Sequence, residues 1–137
     1  MAIEMRYRYI PEQLEAINNN TDLLNEFKED GALKLLFKYA FDPEYKFLLP
    51  EGDPPFEPDP NEIGETHGLF KPEIKKLYVY SKENPNMDPW KREMHFIDLL
   101  SDIHISEAKI LLAVKDQNLG KLYPNITHQL VKEAGFI

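Results

Sequence analysis

The sequence contains no cysteine and only four histidines among its 137 residues. Disulfide bonds and thiol catalysis are therefore excluded, and the usual zinc sites, which rely on cysteine and histidine, are not expected. No apolar run approaches the roughly 20 residues of a membrane-spanning helix, so no membrane association is predicted. The six glycines are isolated from one another, which excludes a glycine-rich phosphate-binding loop.

Groups of side chains that could carry catalysis are also missing from the sequence. None of the three serines lies in a Gly-x-Ser-x-Gly motif, and no two histidines have the i, i+4 spacing of a helical zinc pair. Carboxylates are abundant, but no pattern combines a nucleophile, a base and an orienting group. We therefore predict neither enzyme activity nor a cofactor. Residues 1–6 lack the basic-then-apolar pattern of a secretory signal, so a cytoplasmic location is expected.

The net charge of −8 is concentrated in one segment. Residues 42–65 carry eight acidic side chains and one basic side chain, a net charge of −7, together with six of the eleven prolines. Proline fixes φ and removes a hydrogen-bond donor, so this segment is predicted to be a long irregular loop. The rest of the chain is nearly neutral, and its charge does not exclude an anionic partner such as nucleic acid.

This segment, which we call the acidic loop (residues 42–65), has three interpretations. Asp59–Gly64 begins like a calcium-binding loop, but Ile63 and Phe70 occupy two of the ligand positions. A solvated surface loop is the simplest interpretation. The third is a docking segment for a protein, or a mimic of nucleic-acid phosphates. Its predicted contact residues are Asp53, Phe56, Glu57, Asp59 and Glu62.

The N-terminal third of the sequence predicts three helices. Pro11 suits the first turn of one helix, Thr21 is a favourable N-cap for the second, and the third follows Gly31. Apolar residues of the third helix recur at the spacing i, i+3, i+4, i+7, which places them on one face. They are Leu33, Leu36, Phe37 and Ala40.

Four more helices are predicted after the acidic loop. They begin at Phe70, at Pro89 behind an Asp88 N-cap, at Ser106, and at Pro124, with Gly135 ending the last one. The expected inward-facing residues are Ile74, Leu77, Tyr78, Phe96, Ile97, Leu99, Leu100, Ile103, Ile110, Leu111, Val114, Ile126, Leu130, Val131 and Ala134. A short strand at 77–80 is a conceivable alternative. We predict an all-α bundle of six or seven helices, a single domain over residues 1–137 with the acidic proline-rich loop inserted at 42–66.

Lysines cluster in two parts of the chain. Residues 71–92 carry six basic and three acidic side chains, with aromatic residues between them, and four more lysines lie in the last thirty residues, Lys109, Lys115, Lys121 and Lys132. One interpretation is the ordinary solvated surface of helices. The other is contact with nucleic-acid phosphates.

The C-terminal residues carry a resemblance. Ala108–Gly120, a short turn and Ile126–Lys132 resemble the end of the N-terminal helical DNA-binding domain of phage and cellular ATP-dependent DNA ligases. In that family a helix leads through an Asp-Leu-x-x-Gly-like turn to a helix that begins with isoleucine, and the matching residues here are Asp116, Leu119, Gly120 and Ile126. The run Leu33–Pro43 is similar to an early helix of the same domain. The chain also resembles small proteins encoded by large myoviruses.

The departures from the ligase pattern limit what the resemblance implies. No Lys-x-Asp-Gly adenylation motif is present, the turn before Ile126 is longer, and the acidic loop has no counterpart. Ligation is therefore not expected. The resemblance implies a helical domain that grips duplex DNA across its backbone, with Lys115, Lys121 and Lys132 on phosphates and His128 near them. Lys75 and Lys76 complete the predicted nucleic-acid-binding residues.

Two hypotheses follow. The first is a non-catalytic DNA-binding accessory protein of a bacteriophage, located in the host cytoplasm, with little sequence preference because no base-reading helix stands out. The alternative is a protein–protein adaptor or inhibitor that docks on a host or phage protein through the acidic loop. The sequence leaves the partner and the oligomeric state open.

Overall fold

A computed structural model describes residues 7–137; residues 1–6, in which no secretory signal is predicted, lie outside that range. The described chain forms six α-helices and four short 3-10 helices, with no β-strand. The α-helices are α1 (Ile10–Asn19), α2 (Gly31–Phe41), α3 (Phe70–Glu73), α4 (Pro89–Asp102), α5 (Ile105–Lys115) and α6 (His128–Glu133). The 3-10 helices span Thr21–Phe27, Pro43–Tyr45, Ile74–Tyr80 and Leu119–Lys121. The predicted all-α class is confirmed.

Helix α5 is the centre of the fold. It packs against α1, α2 and α4, and most of its residues are buried. A helix that is apolar on nearly all sides is stable only when other elements surround it. Helices α1, α2 and α4 therefore pack around α5, and the buried side chains of the described chain belong to one hydrophobic core.

Helix ends follow local signals in most cases. Asp88 caps α4 with Pro89 in its first turn, as predicted. Gly135 has a φ of 84° and follows α6 in a Schellman arrangement, in which the Phe136 N–H donates to the Val131 carbonyl.

Three predicted helix starts were wrong by one to four residues. Asn20, and not Thr21, caps the Thr21–Phe27 helix through its side chain. His104 takes the N-cap position of α5 in place of Ser106, because Glu107 completes a capping box with it. The last helix begins at His128 rather than Pro124, with Thr127 as its cap.

The segment after the acidic loop has a different helix type from the one predicted. One α-helical turn, α3, passes into the 3-10 helix Ile74–Tyr80. Tyr78, predicted to point inward, is 47% exposed, and Tyr80 is buried in its place. Of the other predicted core residues, Ile97, Leu99, Leu130 and Ala134 are only partly buried.

No helix within residues 7–137 has the length and apolar character to cross a membrane.

Candidate functional site

The acidic loop is held against the body of the protein. Phe47 is buried among Tyr39, Tyr80 and Phe96, and the Leu48 N–H donates to the Tyr80 carbonyl at 2.8 Å. Aromatic contacts of this kind bury large apolar areas. The first part of the loop is therefore part of the core, which a purely solvated loop would not be.

Lys115 and Asp116 fasten the next part of the loop to the end of α5. The Lys115 ammonium donates to the Pro50 carbonyl at 2.7 Å and to the Asp116 carboxylate at 2.6 Å, and the Gly52 N–H donates to the same carboxylate at 3.3 Å. The Lys115 side chain is only 2% exposed. This corrects the predicted phosphate contact of Lys115, because its charge is buried and already bonded within the protein.

The second half of the loop closes on itself. Asp59 accepts hydrogen bonds from the backbone N–H groups of Asn61 (2.9 Å) and His67 (2.6 Å), and these bonds lower the pKa of its carboxyl group. Phe56 is partly buried against the hydrophobic core. It thus helps to hold the loop against its own chain, while its predicted contact with a partner stays a prediction. Asp53, Glu57 and Glu62 are exposed.

The turn after α5 is fixed by Gln117, which sequence reasoning missed. Gln117 has a φ of 54°, and the Asn118 N–H donates to the Ala113 carbonyl, so α5 ends in a Schellman arrangement without glycine. The side-chain amide of Gln117 donates to the carbonyls of Tyr39 (3.1 Å) and Asp42 (2.7 Å). These carbonyls belong to the end of α2, where they lack helical partners. Gln117 therefore joins the ends of two core helices.

Exposed lysines precede, occupy and follow this turn along the chain, at Lys109, Lys121 and Lys132. Lys109 and Lys121 line one shallow depression of about 220 Å³, with Asp53 of the acidic loop beside them. His128 and Lys132 stand four residues apart on α6 and are both exposed. The His128 ring also lies edge-on to Phe41, with ring centroids 6.3 Å apart. None of the three lysines Lys109, Lys121 and Lys132 forms an ion pair with any part of the described chain. We call these three lysines the C-terminal cations.

Lys75 and Lys76 lie elsewhere, on the 3-10 helix Ile74–Tyr80. Both are exposed, and Lys76 is paired with Glu73 at 3.6 Å. No hydrogen bond, ion pair or shared cavity among residues 7–137 joins them to Lys121 or Lys132. Of the other predicted nucleic-acid-binding residues, the structure places only His128 and Lys132 side by side, four residues apart on α6.

Two buried polar clusters serve the fold. Asp30 caps α2 and accepts from Lys71 and Gln13, each at 2.9 Å. Burial works to raise the pKa of Asp30, but these hydrogen bonds outweigh it and lower the pKa.

The second cluster is centred on Glu107. Its carboxylate accepts from the Phe70 and His104 N–H groups, both at 3.2 Å, and burial raises the pKa of Glu107. In the described chain no three acidic or histidine side chains are placed to hold a metal ion.

A cleft of about 260 Å³ opens between the acidic loop and helices α4 and α5. Residues 49–55 form one wall. Glu93, Phe96 and Ile97 of α4 form the other, with Lys115 at the α5 side. Glu93 had no predicted role, because nothing in its local sequence shows that the loop lies beside it.

The fold and these charged surfaces define a small all-α protein whose long acidic loop is packed onto its own core. The chain belongs to a family of unknown function (DUF6433), whose model matches residues 12–121. The matched range includes the cleft, Lys109 and Lys121, and ends before α6 with His128 and Lys132. No curated protein and no solved structure matches the chain.

Proposed function

We propose that the protein is a non-catalytic DNA-binding accessory protein of a bacteriophage that contacts the backbone of duplex DNA. The observation that supports this proposal is the set of C-terminal cations before, within and after the turn at 116–127, which are exposed and form no ion pair with the described residues. Unpaired lysines can release counterions from DNA when they meet phosphates. The phage assignment rests on the sequence resemblance to myovirus proteins and to ligase DNA-binding domains.

The size of the electrostatic contribution can be estimated. If Lys109, Lys121 and Lys132 each neutralise one phosphate, the affinity should fall with salt at a log–log slope of about −2.7. Raising the salt from about 50 mM to about 200 mM should then weaken binding about 40-fold.

The test is fluorescence anisotropy with a labelled duplex of mixed sequence at those two salt concentrations. Lys121→Glu and Lys132→Glu should each weaken binding and reduce the salt slope by about 1. Lys34→Glu is the matched control, because Lys34 is an exposed lysine on α2 that forms no ion pair within residues 7–137, and the charge change is the same. Lys75→Glu shows whether the first basic segment takes part.

Absence of binding at the lower salt concentration would refute the proposal. Equal losses in Lys34→Glu and Lys121→Glu would also refute it, because they would show a response to net charge alone. The alternative hypothesis, protein docking through the acidic loop, depends on a different part of the molecule.

A further inference from the structure

We infer that the cleft between the acidic loop and α4 is a docking site for an arginine side chain of a partner protein. This inference does not depend on DNA binding, because the cleft lies between the acidic loop and α4, and Asp53 is its only lining residue that also borders the depression of Lys109 and Lys121. It narrows the predicted docking role of the acidic loop to one cleft and to one type of side chain.

The size of the cleft suits one side chain. Pockets for drug-sized ligands usually enclose about 300–1,000 Å³. At about 260 Å³ this cleft lies just below that range. A long side chain inserted from a neighbouring protein fits this volume better than a nucleotide or a large cofactor.

The unpaired charges in the cleft favour a cation. Glu51 is paired with Lys46, and Lys115 is paired with Asp116, so these charges are already compensated. The carboxylates of Asp53 and Glu93 line the same cleft and have no hydrogen-bond or ion-pair partner within the described residues. The cleft therefore keeps a charge of −2, which repels anions and attracts a cationic group.

The walls of the cleft favour arginine over lysine. Leu49, Pro54, Pro55, Phe96 and Ile97 supply apolar surface. An arginine can lay its methylene groups along such surface while its guanidinium reaches the carboxylates. The guanidinium is flat, weakly hydrated and able to bond carboxylates in pairs, whereas the lysine ammonium is strongly hydrated.

An exposed apolar stripe beside the cleft points to a protein as the source of this arginine. Trp90 and Met94 are 62% and 48% exposed, and with Ile97 they follow the i, i+4, i+7 spacing on α4. Ile97 lines the cleft, so the stripe continues directly into it. Tryptophan and methionine are enriched at protein interfaces, and a free metabolite would leave this stripe uncovered.

The loop wall is already in place before a partner arrives. The bonds from Lys115 to Pro50 and from Gly52 to Asp116 fix the backbone next to Asp53. Binding therefore does not have to order this part of the loop, which lowers its entropic cost.

The experiment is an NMR titration of the whole protein with small probes. The first probe is N-acetyl-arginine methylamide, and its control is the citrulline analogue, which has nearly the same shape and no charge. The arginine probe should give saturable amide shifts at Gly52, Asp53, Glu93 and Ile97, with a dissociation constant on the order of 1 mM. The citrulline probe should give none at the same concentration.

Matched variants locate the binding. Asp53→Asn and Glu93→Gln should each weaken the arginine probe about three- to fivefold. Glu62→Gln removes the same charge from an exposed loop residue outside the cleft and should have no effect. All three residues are exposed, so their amide variants should fold, and the dispersion of the same spectra verifies this.

A longer probe tests the protein source. Acetyl-Leu-Arg-Leu-amide should bind more tightly than the single residue, and Trp90→Ala should remove that gain without changing the binding of N-acetyl-arginine methylamide. The inference is overturned if the arginine probe gives no saturable shifts, if Glu62→Gln weakens it as much as Glu93→Gln, or if the longer probe gains nothing. Self-association of the protein that Glu93→Gln abolishes would make a second copy of the chain the occupant and would also overturn it.

Discussion

Replacing Lys115 with methionine should reduce the stability of the protein and leave its DNA affinity unchanged. Methionine keeps most of the apolar stem but loses both bonds of the ammonium, to the Pro50 carbonyl and to the Asp116 carboxylate. Removing one partner of a buried ion pair costs about 3–5 kcal/mol. Here the Asp116 side chain is 12% exposed and keeps the Gly52 N–H, so we expect a smaller loss of about 2–3 kcal/mol.

Urea denaturation measures this loss. With an m-value of about 2 kcal/mol per M, the midpoint should fall by about 1–1.5 M. Lys121→Met is the matched control; because Lys121 is exposed, its midpoint should change by less than about 0.25 M. The double variant Lys115→Met with Asp116→Asn should recover part of the loss, since it removes the unpaired carboxylate. A midpoint of Lys115→Met equal to that of the wild type would refute this account of the buried pair.

Three further predictions concern the fold. Glu107→Gln should lower the free energy of unfolding by about 1–3 kcal/mol, because an amide accepts at one atom only and one backbone N–H loses its partner; unchanged urea curves would contradict this. The lowered pKa of Asp30 stabilises the fold above about pH 3.8, and this stability is lost as the pH falls through the folded pKa. Asp30→Asn should remove that acid-side slope from stability curves. Gly64→Ala should destabilise more than Gly52→Ala in thermal melts: both have φ near 90°, but only the new Cβ at Gly64 would overlap the Tyr9 hydroxyl. Tyr9→Phe should relieve that difference.

Sequence patterns predicted the elements whose causes are local. The buried face of α2, with Leu33, Leu36, Phe37 and Ala40, follows from helical spacing alone. The start of α4 at Pro89 follows from an N-cap and a proline next to each other in the chain. In these elements the determining contacts lie within one or two helical turns, so a single sequence contains them.

The error at Tyr78 has a geometric reason. An α-helix has 3.6 residues per turn, so Ile74, Leu77 and Tyr78 would share a face. A 3-10 helix has 3.0 residues per turn, which aligns Ile74, Leu77 and Tyr80 instead. Those three residues are the ones that are buried. Tertiary packing selected the tighter helix, and the α-helical pattern in the sequence does not reveal that choice.

The candidate sites depended on contacts that the sequence does not show. Nothing in the sequence around Lys115 distinguishes it from an ordinary surface lysine. It is buried because the segment containing Pro50, 65 residues earlier in the chain, packs against it. The cleft likewise needs the acidic loop to lie on α4, which places Glu93 beside Asp53. The sequence could therefore suggest that the acidic loop docks on a partner, but only the tertiary structure shows which side chains line the cleft beside it.

The central position of α5 has a consequence for synthesis of the protein on the ribosome. Both α1 and α2 pack against α5, which begins about 85 residues after the end of α1 and about 65 residues after the end of α2. Chains are made at about 5–20 residues per second, so the surfaces of α1 and α2 that contact α5 wait roughly 3–17 seconds for it. Since transiently exposed apolar surface promotes aggregation, we expect the N-terminal helices to be aggregation-prone during synthesis until α5 has emerged.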